Sequence, residues 1–118
     1  MDTPFLPPEL SGPEKQAILK AVIEQLMKDF GRFGLDIREP LPGTDAYSSL
    51  QSQVAPIIEK TLLSNDSLLT GILYSIDLSE VQVRKALQEQ PERPYPLVLT
   101  DLILKRELQK VVLRKRFS

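Results

Sequence analysis

A chain of 118 residues with 42% hydrophobic and 26% charged side chains has the length and balance of one soluble globular domain. Its net charge is −1, so no overall field draws it to nucleic acid or to an acidic membrane. It contains no Cys, His or Trp, which removes thiolate nucleophiles, disulfides, imidazole metal ligands and any Ser-His-Asp triad.

Residues 1–10 hold Pro4, Pro7 and Pro8 and read as an extended, proline-rich segment ahead of a single helical domain over residues 11–118. They have no basic start and no long apolar run, so no signal peptide is expected. Nothing in the chain approaches the roughly eighteen apolar residues of a membrane span. The expectation is a cytoplasmic protein of bacterial type with no membrane partner.

The first helix opens on Ser11 and Glu14, an S-x-x-E capping box, with Pro13 in its first turn. Leu19, Val22, Ile23, Leu26, Met27 and Phe30 fall on one face, and Gly31 and Gly34 end the element. Residues 35–44 form a connector that Pro40 and Pro42 keep from continuing as a strand. A second helix begins near Asp45, with Tyr47, Leu50, Val54, Ile57, Ile58 and Leu62 at helical spacing. Pro56 inside that pattern predicts either a kink or two shorter helices.

Residues 64–67 break the pattern and offer an N-cap. Leu69, Ile72, Leu73 and Ile76 then predict a short third helix, weakened by Gly71, with a strand over Ile72–Ile76 as the alternative. After the break Asp77-Leu78-Ser79, a Ser79–Gln82 capping box opens a helix over about residues 80–90. Pro91, Pro94 and Pro96 mark a loop. The last helix runs from about Pro96 to Arg116, with Leu97, Leu104, Leu108, Val111 and Val112 on one side and Leu99, Leu102, Ile103 and Leu113 on the other. A helix apolar on two sides is central in a bundle or shared with a second chain. The fold class is all-α: a bundle of about five helices with the first and last central. Leu19, Ile23, Leu26, Phe30, Val54, Ile58, Ile72, Leu104 and Leu108 are the expected core.

Charge is unevenly spread. Residues 1–79 carry 6 basic and 11 acidic side chains, and residues 80–118 carry 9 basic and 5 acidic. The basic cluster is Lys105, Arg106, Lys110, Arg114, Lys115 and Arg116. Cations near a helix C-terminus complement its dipole, and a phosphate-binding patch is the competing explanation. The corner over residues 66–90 has the outline of a helix-turn-helix with Arg84, Lys85 and Gln88 on the second helix, but Glu80 and Glu89 flank it. Gly31-Arg32-Phe33-Gly34 is a lone G-x-x-G that a helix end explains.

Asp36 with Glu39, and Asp77 with Glu80, are acid pairs beside helix boundaries, where acids act as caps. Asp101 falls within an apolar stripe, where the first turns of a helix would welcome an anion. There is no P-loop, no G-x-G-x-x-G and no G-x-S-x-G. The expected function is therefore non-catalytic: a small helical adaptor or subunit with no cofactor and no metal. Its partner face would consist of Leu99, Ile103 and Leu113 with Lys110, Arg114 and Arg116, meeting a protein partner or a second copy. The alternative is a nucleic-acid-binding regulator using the 66–90 corner and the basic C-terminal helix.

Overall fold

Among the described residues five helices follow one another: α1 (Gly12–Gly31), α2 (Ala46–Ser64), α3 (Asp66–Ile76), α4 (Glu80–Glu89) and α5 (Tyr95–Phe117). This computed structural model describes residues 10–64 and 66–117. The proline-rich segment expected over residues 1–10 therefore lies, apart from Leu10, outside the described residues. Among the described residues there is no strand, and no helix is long and apolar enough to cross a membrane.

Each boundary has a local cause. Ser11 caps α1: its Oγ accepts from the Glu14 N–H, and the Glu14 carboxylate accepts from the Ser11 N–H. The α1 C-terminus closes with the Leu35 N–H donating to the Phe30 carbonyl, and Gly34 takes the left-handed φ of 72° that this turn requires. The G-x-x-G is thus a helix stop. It also aims Phe33 at α3, where the ring lies over Gly71, 3.0 Å from where a Cβ would be. Gly71 weakens α3 as a helix but admits that ring.

Pro56 neither divides nor ends α2, which runs unbroken through it. Pro56 and Ser52 are both exposed, so the Ser52 carbonyl that loses its helical donor can turn to water. The Ile72–Ile76 segment is helical, because its apolar residues have the core of a bundle to face. At the α3–α4 turn Asp77 adopts a positive φ of 69°, and the Leu78 N–H donates to the Leu73 carbonyl. Ser79 and Gln82 then form the expected capping box of α4.

α5 lies at the centre and packs against all four other helices. α1 runs along it, as does α2, and α3 bridges α1 and α2. One core cluster draws residues from every helix, including Leu26, Phe30, Leu50, Ile58, Ile72, Val83, Leu99 and Ile103. Of the nine expected core residues, eight are buried, and Leu19 is half-buried against them. Leu104 is one of the eight; Leu104→Ala should lower stability by about 2–5 kcal/mol, read as a shift of the urea midpoint. Buried hydroxyls are satisfied locally: Thr61 donates to the Ile58 carbonyl and Thr100 to the Pro96 carbonyl.

Candidate interaction surface

The partner face expected from the sequence is not assembled at the surface. Leu99 and Ile103 are both 0% exposed and belong to the chain's own core. The two apolar sides of α5 are both covered from within, because α1, α2, α3 and α4 together surround it. Of the three apolar residues only Leu113 is exposed. The side chain of Arg116 lies outside the described residues.

Several basic residues of α5 have partners within the molecule. Arg106 Nη2 donates to Asp77 Oδ2 at 2.9 Å. Lys110 Nζ lies 2.9 Å from Glu107 Oε1 and 3.3 Å from Asp29 Oδ2. Arg114 Nη2 donates to Gln25 Oε1 at 2.8 Å, and the charge of Lys115 bears on Glu14. Two ion pairs, Arg106–Asp77 and Lys110–Asp29, thus join the basic half of the chain to the acidic half.

The basic residues border three grooves, and Lys85, Lys105 and Arg106 line one of them together. Arg84 borders a groove between α3 and α4, Lys85 one between α4 and α5, and Arg114 one between α1 and α5. The α3–α4 corner also lacks the close packing of a helix-turn-helix, since the two backbones do not approach one another along their lengths.

The acid pairs take separate roles. Asp36 is exposed and pairs with Arg38 at 3.6 Å, while Glu39 is exposed. Asp77 serves the turn and Arg106, not Glu80. Asp101 is the seventh residue of α5, so free helix N–H groups do not explain it. Instead its carboxylate accepts from Tyr47 Oη, from Gln51 Nε2 at 3.2 Å and from Arg93 Nη1. It thereby pins the start of α2 and the α4–α5 loop to α5. Burial, then the bond to Asp101, raises the Tyr47 phenol above its usual range and keeps it a donor.

A second polar cluster sits in the α1–α5 seam, where Asp29 and Glu107 are both buried. The sequence does carry a signal for it. Asp29 lies between Leu26 and Phe30 on the core face of α1, and Glu107 follows Ile103 and Leu104 and precedes Leu108 on α5. An acid in an apolar stripe marks a paired or protonated carboxyl. That argument applies to both, although only Asp101 stands out on inspection.

An apolar groove of about 590 Å³ opens between α3 and α4. It is lined by Leu69 and Leu73 of α3 and Val83 and Leu87 of α4, together with Leu62 and Leu78. Tyr74 stands at the rim 85% exposed, and Tyr95, Glu80 and Arg84 border it. The groove exists because three residues, Asp77 to Ser79, join two helices that then diverge. α4 packs only on α5, and α3 packs on α1, α2 and α5. No sequence pattern shows such divergence.

Compared with known proteins, the chain matches no family model, no curated protein and no solved structure.

Proposed function

We propose that the protein is a non-catalytic helical interaction module that seats an amphipathic helix of a partner protein in the α3–α4 groove. The observation that supports this reading is the pair of consecutive helices that diverge and leave an apolar trough with an exposed tyrosine at its edge. Exposed aromatics beside an apolar trough are the usual anchors of protein interfaces. A trough walled by leucine and valine suits a helix whose own apolar residues recur at i, i+3, i+4 and i+7. Glu80 and Arg84 sit one helical turn apart at the rim. They favour a partner that offers a base opposite Glu80 and an acid opposite Arg84, which would set its direction. The setting is the cytoplasm, as expected from the sequence.

The test is titration of the isotope-labelled protein with a synthetic amphipathic helix carrying leucines at that spacing. Amide shifts should concentrate on residues 69–87. Leu73→Glu should weaken binding about tenfold or more, the effect of losing one well-placed apolar anchor. Leu73 is only half-buried, so this variant should keep its helical spectrum. Shifts confined to the α1–α5 surface, or affinity unchanged in Leu73→Glu, would overturn the proposal. Sedimentation of the protein alone separates the competing occupant: a dimer that Leu73→Glu dissolves would make the partner a second copy.

A further inference from the structure

Two carboxyl groups are buried together in the seam between α1 and α5. Glu107 is 0% exposed; its Oε1 accepts from Lys110, and its buried Oε2 meets no donor among the described residues while both acids are ionised. Asp29, from α1, lies in hydrogen-bond reach of Glu107. Its Oδ1 accepts from Gln25 Nε2 at 3.0 Å, and its Oδ2 accepts from Lys110 Nζ at 3.3 Å. Among the described residues Lys110 is thus the ammonium that the two buried acids share. The next cation, Arg32, is 3.9 Å from Asp29 Oδ1, with its side chain 53% exposed to water.

The charged groups of the other helices stand in water. Glu59 and Lys60 of α2 are exposed, as are Tyr74 of α3 and Glu80, Arg84, Lys85 and Glu89 of α4. Tyr47 is committed to Asp101. With both acids ionised, Lys110 offsets one of the two buried charges, the other faces only the long contact to the half-exposed Arg32, and one buried oxygen stays unsatisfied, which is costly in a dry seam. A single proton on Glu107 Oε2 resolves both. It cancels the charge and supplies a donor to Asp29.

We propose that Glu107 and Asp29 share one proton at neutral pH and that this proton latches α1 to α5, so that the seam loosens as the pH rises. A chain without histidine thereby gains a group that titrates near neutrality. Burial, reinforced by the hydrogen bond to Asp29, pushes the Glu107 carboxyl up to about 8. Burial works against ionised Asp29 too, but the bonds from Glu107 and Gln25 and the charge of Lys110 outweigh it and hold Asp29 below the usual carboxylate range. The native state then keeps a proton that the unfolded chain releases near 4.5. Glu107's stabilising contribution is complete below that value and is lost as the pH rises through about 8. Asp29 acts in the opposite sense, and its contribution is lost only on strong acidification.

The test compares urea unfolding of wild type and Glu107→Gln from about pH 6 to about pH 8. The amide of Gln keeps the shape, donates to Asp29 and accepts from Lys110, but it does not titrate. The wild-type folding constant should fall by up to about tenfold per pH unit relative to Glu107→Gln, the slope of one linked proton. Infrared difference spectra of the folded wild type should show a protonated-carboxyl band at about pH 7 that fades toward about pH 9 and is missing from Glu107→Gln. Parallel pH dependence in the two proteins, or no such band in the wild type, would overturn the proposal. The band is read on the wild type alone and decides the matter even if the variant folds poorly.

Discussion

Ile103→Asp is expected to unfold the protein, not to release a partner from it. Ile103 is fully buried at the centre of the bundle. Removing the apolar side chain alone costs about 2–5 kcal/mol. A buried carboxylate without a counter-charge adds several kcal/mol more. Together these match most of the roughly 5–15 kcal/mol that a domain of this kind has to lose. Far-ultraviolet circular dichroism at neutral pH should show most of the helical signal gone, with partial recovery in acid as the new carboxyl takes up a proton. Retention of the wild-type urea midpoint, with a change only in sedimentation, would return Ile103 to the surface and restore α5 as a partner helix.

Asp101→Ala should be the most damaging change to a polar residue outside the α1–α5 seam. It removes the common acceptor of Tyr47, Gln51 and Arg93, which come from α2 and from the loop before α5. Hydrogen bonds to a charged acceptor are worth more than neutral ones, and the donors are left partly buried. Arg93 has about a third of its side chain exposed and can turn to water, so the loss is less than the sum of the bonds. A drop of about 2–4 kcal/mol in unfolding free energy is expected. Asp101→Asn, which keeps an acceptor oxygen but not the charge, should lose about half as much. Amide exchange should quicken around residues 45–51 and 90–95, because those segments are tied down through this carboxylate. A loss below about 0.5 kcal/mol, the range of ordinary surface changes, would show that the network is incidental.

Little of the surface was legible in the residues, although the helices were. Capping boxes at Ser11 and Ser79, glycines after Phe30 and apolar residues at helical spacing are local signals, and they act over one or two turns. They sufficed to place five helices and most of the core. Pro56 shows where local signals stop: only the exposure of Ser52 and Pro56 makes an unbroken helix tolerable there. Leu99 and Ile103 show the same for burial. An apolar side of α5 looks identical in sequence whether its neighbour is α2 of the same chain or a second molecule.

Neighbours along the chain and composition were enough for the helical fold class, for most of the element boundaries and for the lack of imidazole and thiol side chains, with the path of α2 through Pro56 and the state of residues 72–76 left open. Tertiary structure alone decided which charges meet. Asp29 and Lys110, Asp77 and Arg106, and Tyr47 and Asp101 are far apart in the chain and adjacent in space. It also decided that α3 and α4 diverge and leave a groove, since the angle between two helices is set by what each packs against and not by the three residues that join them.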